Sequence, residues 1–406
     1  MKTNLILVDM ASAWSVNGVM RFLQELINGM RVDRSYQIVW IRFLHQFSPD
    51  IIKEKHKGFI CIYIPLPTDM QSFFKKHEIR HMIWQKGLQS ISQVCGLGEK
   101  VIIHLHTLNL MEFALYVRER ITCKIISHIH CIPWKGLYNN HPERFNHLYE
   151  KYYILHDYHH PADYIFREYE WKTYTESDCV VCVTECALHF IQSACPNATP
   201  NIHVIKNGIR DIGNYHYFKN NNKIRCLFVG NSTPSKGIRF ILKALEIVKM
   251  QHDVCLTIVG SYSRECQRVI YTKHPFLDIE FTGKIDMLQL RDLYKEADIG
   301  IIGSLQEQCS YAAIEMMMFG LPIISTDVDG LSELFIDNVD ALIVPTHFHP
   351  QGGLQVDFVK MSDSILSLIE NPALRKRIGQ NARHTYKNNY TAKKMTLAIK
   401  NIYETI

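Results

Sequence analysis

Two glutamates with seven residues between them, Glu307 and Glu315, are the residues of this 406-residue chain whose types and spacing most directly indicate chemistry. The apolar segment 298–303 precedes them and predicts a buried parallel strand. Ser310 is a suitable helix N-cap, and Gly320 followed by a proline is a suitable helix end, so 310–320 predicts a helix. Glu307 would then lie in the loop before this helix, and Glu315 a little over one turn inside it.

The start of that helix predicts an anion-binding site. Ser310 and Tyr311 would present free backbone N–H groups at the positive end of the helix dipole, where a phosphate is favoured. Carboxylates accept hydrogen bonds from hydroxyl-rich groups such as ribose and hexose. A sugar nucleotide offers both kinds of group. The alternative interpretation is that Glu307 and Glu315 are ordinary loop and helix-surface residues, since short motifs often arise by chance.

Strands and helices alternate along the chain, which predicts right-handed crossovers and doubly wound parallel sheets. The predicted elements after residue 221 are strands at 224–230, 255–260, 279–283, 299–303, 322–327 and 341–345, and helices at 235–250, 286–297 and 310–320. The predicted strands of the N-terminal half are 4–10, 37–43, 59–65, 101–106, 124–130, 179–184 and 202–206. Ligands of such sheets bind at the carboxyl ends of the strands.

Several motifs of the C-terminal half resemble, in the same order, those of the retaining glycosyltransferases of family 4. They are Leu227-Phe-Val-Gly230 with Lys236-Gly237, Leu256-Thr-Ile-Val-Gly260, Phe281-Thr-Gly283, Leu293-Tyr-Lys-Glu-Ala-Asp298, the Glu307 and Glu315 pair with Gly320-Leu-Pro322, and Gly330-Leu-Ser-Glu333. The N-terminal half matches more loosely. The resemblance implies the GT-B fold, in which two Rossmann-like doubly wound α/β domains face each other across a cleft.

The resemblance also implies a domain organisation. Residues 1–206 would form the N-terminal, acceptor-side domain, and 207–222 the linker. Residues 223–385 would form the nucleotide-sugar-binding domain, and the amphipathic run 386–406 would be a helix that returns to the N-terminal domain. At 406 residues and 47% hydrophobic content, the chain is long enough and apolar enough for two such cores.

The family's motif positions imply roles for this chain's residues. Glu307 would hold hydroxyls of the donor sugar, and Glu315 would accept hydrogen bonds from the ribose diol. Lys236, Ser310 and Tyr311 would stabilise the diphosphate, whose negative charge grows as the glycosidic bond breaks.

Two positions depart from the family's pattern. Where the family often has a pair of glycines after the first strand, this chain has Asn17 and Gly18, and Gly18 would still allow a phosphate to approach the backbone. Where the family usually has an arginine after Gly230, this chain has Asn231. Stabilisation of the leaving group would therefore rest on Lys236 or Arg239, or activity would be reduced.

Four histidines occupy the ends of two predicted strands, and alternation places His104 with His106, and His128 with His130, on matching faces. The resemblance implies that His130 faces the donor sugar from the N-terminal domain, where a neutral imidazole would orient it. A metal site is an alternative for these histidines, but no carboxylate lies at ligand spacing. No metal and no separate cofactor are therefore expected to be required.

The sequence thus predicts a retaining glycosyltransferase that moves a hexose-type unit from a UDP or GDP sugar to a hydroxyl acceptor, in polysaccharide or other glycan biosynthesis. The acceptor would be a glycan, a lipid-linked precursor, a peptide or a small molecule. The aromatic-rich stretch 133–178 is either its binding segment or a helical excursion packed by aromatics. Two other functions remain open. One is a sugar-nucleotide epimerase of the same architecture, and the other is a non-catalytic sugar-nucleotide-binding protein, which Asn231 would favour.

Composition excludes some function classes and favours a compartment. A net charge of +5 gives no strong nucleic-acid footprint, although it allows peripheral contact with an anionic membrane. The 12 cysteines lie among apolar strand residues, and Cys179 and Cys182 would point to opposite faces of a strand, which disfavours a zinc or redox pair. With no apolar run long enough to span a bilayer, a cytoplasmic protein is expected. A dehydrogenase is disfavoured because no G-x-G-x-x-G follows a strand.

Overall fold

A computed structural model describes residues 2–12, 18–45, 50–67, 69, 73, 76–95, 99–132, 170–195, 197–212, 223–349 and 353–406. These residues form two compact units. The first contains the described residues up to 132, those of 170–206, and 392–406, and the second contains those of 207–391. Most of the predicted acceptor stretch 133–178 and of the predicted linker 207–222, and Asn17 of the first turn, lie outside the described residues.

The first unit is built on an eight-stranded sheet in the order β3-β4-β2-β1-β5-β6-β7-β8, parallel throughout except for the pair β3 and β4. Its strands are β1 (Thr3–Ser12), β2 (Tyr36–His45), β3 (Ile52–His56), β4 (Phe59–Pro65), β5 (Lys100–Leu105), β6 (Lys124–Ile129), β7 (Cys179–Cys182) and β8 (Ile202–Val204). Its helices are α1 (Gly18–Met30), α2 (His77–Ser92), α3 (Met111–Arg118), α4 (Glu185–Ala194) and, from the C-terminus, α12 (Ala392–Thr405).

Burial on both faces explains why the central strands of this sheet are continuously apolar. Leu5, Ile6, Leu7 and Val8 of β1 are all fully buried, as expected for a central strand of a parallel sheet that is covered on both sides. Helix α12 packs against α1, where a Cβ on Gly29 would lie only 2.5 Å from the Thr396 hydroxyl oxygen. The C-terminal helix is therefore part of the first unit.

The second unit is built on a six-stranded parallel sheet in the order β11-β10-β9-β12-β13-β14. Its strands are β9 (Ile224–Val229), β10 (Val254–Val259), β11 (Asp278–Gly283), β12 (Ile299–Ile302), β13 (Ile323–Thr326) and β14 (Leu342–Val344), with the separate antiparallel hairpin β15 (Thr346–His349) and β16 (Gly353–Val356). Its helices are α5 (Ile238–Lys249), α6 (Arg264–Lys273), α7 (Met287–Glu296), α8 (Tyr311–Phe319), α9 (Asp329–Leu334), α10 (Phe358–Glu370) and α11 (Pro372–Asn389).

The α/β fold class predicted from sequence is confirmed, and each predicted strand corresponds to an observed one with ends that differ by three residues or fewer. Several features differ. Helices α6, α9 and α10 and most of α11 have no counterpart among the predicted helices. Strand β3 was not predicted, because all five of its residues are exposed and it has no apolar alternation. The hairpin β15–β16 was not predicted either. The run 386–406, predicted as one helix, is divided between α11 and α12, which are separated at Tyr390 and Thr391.

None of the helices in the described part of the chain combines the length and the apolar character that crossing a membrane requires. All twelve cysteines are free thiols. Cys179 and Cys182 are both buried in β7, where burial raises the pKa of each thiol to about 12. They are unreactive core residues, as the strand assignment predicts.

Candidate active site

The second sheet changes direction between β9 and β12, which are neighbours in space although β10 and β11 lie between them in sequence. Helices leave such a point toward opposite faces of the sheet, and a crevice forms at the carboxyl ends of the two strands. Gly230 follows β9 and Gly303 follows β12. The residues that come directly after these two glycines form the candidate site.

Glycines allow the loops after β9 and β12 to touch. Gly237 has a φ of +67°, and a Cβ at this position would lie 1.7 Å from the Gly303 carbonyl oxygen. Within the same contact, the Leu305 N–H donates to the Ser235 carbonyl at 2.7 Å. No side chain other than hydrogen fits at Gly237 without moving one loop from the other, so this close approach positions Lys236 against the β12 loop.

Lys236 and Glu307 form an ion pair at this contact. The Lys236 Nζ lies 2.5 Å from Glu307 Oε2, and the Ser304 hydroxyl lies 3.2 Å from the same oxygen. The Glu307 backbone carbonyl accepts from the Gly330 N–H at 3.0 Å. The side chains of Lys236 and Glu307 are 29% and 16% exposed, so the pair is partly desolvated but still reachable by a ligand.

The N-cap of α8 lies three residues after Glu307. Ser310 is its N-cap, because its hydroxyl oxygen accepts from the Ala313 N–H at 3.3 Å, and Tyr311 is the first helical residue. Gly320 ends the helix with a φ of +71°, the left-handed conformation of a glycine C-cap. The predicted helix is therefore confirmed, and its N-cap follows Glu307 of the ion pair by three positions.

Glu315 is a buried carboxylate and is only 6% exposed, so it is not the solvent-facing helix residue of the alternative interpretation. The hydroxyl of Tyr294, on α7, donates to Glu315 Oε2 at 2.8 Å. The Tyr294 ring is fully buried and stacks on Phe319 at 5.1 Å. Sequence reasoning did not assign a role to Tyr294 or Ser304, although the Leu293-Tyr segment was noted as a motif.

Asn231 makes contacts within its own loop. Its Oδ1 accepts from the Thr233 hydroxyl at 2.6 Å and from the Thr233 N–H at 3.3 Å, while Tyr262 donates to its backbone carbonyl at 3.2 Å. The Nδ2 group of Asn231 takes part in none of these contacts, so it is the part of the side chain that can donate a hydrogen bond to a ligand. The Arg239 guanidinium lies over the Phe240 ring, 4.5 Å from its centre. Of the two cations that the sequence offered for the leaving group, Lys236 is the one that contacts Glu307.

His130 belongs to the first unit, at the carboxyl end of β6. Its Nε2 lies 3.0 Å from His106 Nδ1, and the His104 Nδ1 lies 2.6 Å from the Tyr403 hydroxyl of α12. Burial lowers the pKa of His104 and of His130 to about 3, and burial with neighbouring imidazoles holds the pKa of His106 and His128 well below the ordinary value. All four imidazoles are neutral at neutral pH.

The predicted site residues thus fall into two groups. Lys236, Glu307, Ser310, Tyr311, Glu315 and Asn231 all belong to the second unit, and the structure brings Lys236 directly to Glu307. His130 and Gly18 belong to the first unit, where Gly18 is the exposed first residue of α1.

Comparisons with known sequences identify relatives of this chain. Residues 216–385 match the family described as Glycosyl transferases group 1. An uncharacterized glycosyltransferase of Methanocaldococcus jannaschii is 28% identical over 242 residues, which are 57% of this chain and 59% of that protein. The alpha-D-kanosaminyltransferase of Streptomyces kanamyceticus is 22% identical over 159 residues, which are 38% of this chain and 39% of that protein. The matches thus span less than two thirds of these relatives.

Solved structures are similar over nearly the whole chain. A sucrose-phosphate synthase from Thermosynechococcus elongatus superimposes with a TM-score of 0.78 at 16% identity, over 100% of this chain and 99% of that one. The Anabaena protein HepE, solved in complex with UDP-glucose, superimposes with a TM-score of 0.71 at 15% identity, over 99% and 100% of the two chains. At this level of identity the likeness shows the fold, which is GT-B, as predicted from the sequence.

Proposed function

Because residues 216–385 match the family described as Glycosyl transferases group 1 and the chain has the GT-B fold, we propose that this protein is a glycosyltransferase that uses a nucleotide diphosphate sugar. The observation that carries the proposal is the contact between Lys236 and Glu307 where the second sheet changes direction, three residues before the positive end of α8. The cation and the helix start suit the phosphate groups of such a donor, and the carboxylate suits its hydroxyl groups.

In this proposal the diphosphate occupies the start of α8. The backbone N–H groups of Ser310 and Tyr311 and the Lys236 ammonium stabilise its charge, which increases as the glycosidic bond breaks. The Nδ2 group of Asn231 supplies a neutral hydrogen bond where the family usually supplies an arginine. Gly18, at the start of α1, offers a second helix start to the phosphates.

The two carboxylates hold hydroxyl groups on either side of the diphosphate. Glu315, oriented by Tyr294, accepts from the ribose diol, and Glu307 accepts from the sugar. Without donor, Glu307 is neutralised by Lys236, so donor binding replaces this ion pair with contacts from each residue to the ligand. His130, held by His106, orients the sugar as a neutral imidazole.

We further propose that transfer retains the anomeric configuration and requires no metal. The leaving phosphate itself would accept the proton of the acceptor hydroxyl, so that no side-chain nucleophile is needed. A UDP-hexose is the first donor to test, because HepE was solved with UDP-glucose, and a GDP-hexose is the second. The acceptor proposed is a hydroxyl of a glycan, a lipid-linked precursor, a peptide or a small molecule, reached from the cytoplasm with at most peripheral membrane contact.

The test is to incubate the protein with labelled UDP- and GDP-hexoses, with and without a panel of hydroxyl acceptors, and to measure the nucleotide diphosphate released. Release that depends on an acceptor and is lost in Glu307→Gln supports transfer. The matched control is Glu265→Gln, which changes an exposed glutamate of α6 and should leave release unchanged.

Two other outcomes would replace the proposal. A new sugar nucleotide formed without release of the diphosphate would indicate an epimerase. Binding without release or conversion would indicate a non-catalytic binding protein, which the uncharged Asn231 favours as the second candidate.

A further inference from the structure

A cluster of buried imidazoles in the first unit contains ring nitrogens that the proposed transfer does not use. His104 and His106 end β5, His128 and His130 end β6, and these neighbouring parallel strands place all four rings on one face of the sheet. The ring centres of His104 and His106 are 4.2 Å apart, and those of His128 and His130 are 4.4 Å apart. Phe22 of α1 covers the cluster, 4.3 Å from His128.

Several ring nitrogens of this cluster are buried without a hydrogen-bond partner among the described residues. They are the Nε2 atoms of His104 and His106 and both ring nitrogens of His128. These three residues are at most 3% exposed. A buried polar group without a partner costs about 1–3 kcal/mol, so four in one place indicate that a bound species is part of the native structure.

We propose that His104, His106 and His128 bind a zinc ion. Each of the three offers one ligand nitrogen, and the three nitrogens lie within 4.8 Å of one another. Tetrahedral coordination at the usual Zn–N length needs nitrogens about 3.4 Å apart, so modest ring rotations complete the site. Three neutral imidazoles with water or hydroxide as the fourth ligand form a donor set that zinc accepts.

The outer contacts of the cluster already orient two of the ligands. The His104 Nδ1 contacts the Tyr403 hydroxyl and the His106 Nδ1 contacts His130 Nε2, so the Nε2 atom of each ring is left for the metal. Such contacts to the second ring nitrogen are what hold metal-binding histidines in place. Zinc on His106 Nε2 would leave the proton on Nδ1, and His106 would then donate to His130.

This arrangement predicts what the zinc does. It would join β5 to β6 and, through Tyr403, fix helix α12 on the first unit, which is a structural role that does not depend on the proposed transfer reaction. From sequence alone a metal was disfavoured, because no carboxylate lies at ligand spacing. In the structure the neighbouring strand β6 supplies His128 as a third imidazole, so the ligand set needs no carboxylate.

The test is zinc titration of the full-length, tag-free chain against a chromophoric chelator, with Co²⁺ absorption as a second probe. We expect one zinc per chain, a rise in melting temperature with zinc, and the d–d absorption of tetrahedral Co²⁺. His106→Gln and His128→Gln each remove a ligand, so each should weaken zinc binding by more than the factor of about 10–100 that loss of an outer-shell partner costs. His203→Gln, at an exposed histidine on β8, should bind zinc as the wild type does.

Three results would overturn the proposal. They are a wild-type chain that takes up no zinc, zinc binding that is unchanged in both His106→Gln and His128→Gln, and a crystal structure grown with zinc that shows only water among the three rings. The Co²⁺ spectrum of the wild type decides the question even where a variant fails to fold.

Discussion

At the scale of single residues, the proposed function depends on the contacts that Lys236 and Glu307 make without and with a ligand. Their ion pair is partly buried, and such a pair adds little net stability because desolvation offsets most of the Coulomb attraction. The pair is better explained as preorganisation, since each group occupies the position at which it would meet a diphosphate or a sugar hydroxyl. Binding, rather than folding, is therefore the property that substitutions here should change.

Lys236→Met should weaken UDP binding by about 10–100-fold, because a charge-assisted hydrogen bond to phosphate contributes roughly 1.5–3 kcal/mol. Isothermal titration calorimetry with UDP measures this directly. Lys273→Met, at an exposed lysine in the last turn of α6, is the matched control and should bind UDP normally. Equal affinities for the two variants would exclude Lys236 from the diphosphate site.

Tyr294→Phe should lower the free energy of unfolding by about 1.5–3 kcal/mol, since it removes a hydrogen bond to the buried Glu315 carboxylate while keeping the ring. Urea unfolding checks the stability. Weaker UDP binding by the folded variant is expected as well, because Glu315 loses a group that orients it. A variant as stable as the wild type would show that this hydrogen bond contributes nothing to the fold.

At the scale of secondary structure elements, the sequence predicted most of what apolar periodicity and helix caps determine. Helix α8 is the clearest example, because Ser310 and Gly320 mark its ends both in the sequence and in the structure. Strand β3 was not predicted because it is held by its pairing with β4 and its side chains are all exposed. Side-chain partners such as Tyr294 with Glu315 join elements far apart in sequence, and no local pattern encodes them.

Gly237→Ala should destabilise the chain by about 2 kcal/mol or more and should weaken UDP binding, because its Cβ would collide with the Gly303 carbonyl and separate the two site loops. Gly283→Ala is the matched control. It has a similar φ of +71° but no atom within 4 Å of the added Cβ, so it should cost only the backbone strain and leave UDP binding intact. The same loss of UDP binding in both variants would contradict the loop contact.

Helix α12 is joined to the α1–β2 turn by an ion pair between Lys400 and Asp33, whose pKa is lowered to about 2 by hydrogen bonds from Lys400 and Ser35. A carboxylate with a lowered folded-state pKa stabilises the fold above its ordinary pKa of 3.8, and this stabilisation is lost as the pH falls toward 2. Lys400→Gln should therefore lower the free energy of unfolding at pH 6, by a modest amount because both side chains are partly exposed, and should lower it less at pH 3.

Urea unfolding of Lys400→Gln and the wild type at both pH values measures this difference. Lys393→Gln, at an exposed lysine of the same helix, should show no pH-dependent cost. A cost for Lys400→Gln that is the same at pH 6 and pH 3 would assign the effect to helix packing rather than to Asp33.

At the scale of the whole molecule, the chain consists of two units, and the C-terminal helix α12 is part of the first. Sequence reasoning reached the GT-B fold because the motifs of the C-terminal half occur in the family's order. The packing of the histidine cluster and the Lys236–Glu307 contact were not predicted. Both depend on neighbouring strands and loops that only the sheet order brings together. The acceptor stays a proposal for a related reason, because most of its predicted segment lies outside the described residues.

The decisive measurement is a crystal structure of this chain with bound UDP. We expect the diphosphate to lie within hydrogen-bond distance of the Lys236 Nζ and of the Ser310 and Tyr311 N–H groups. The ribose hydroxyls should contact Glu315, and the Lys236–Glu307 ion pair should be open. A nucleotide bound elsewhere, with that ion pair still closed, would contradict this expectation.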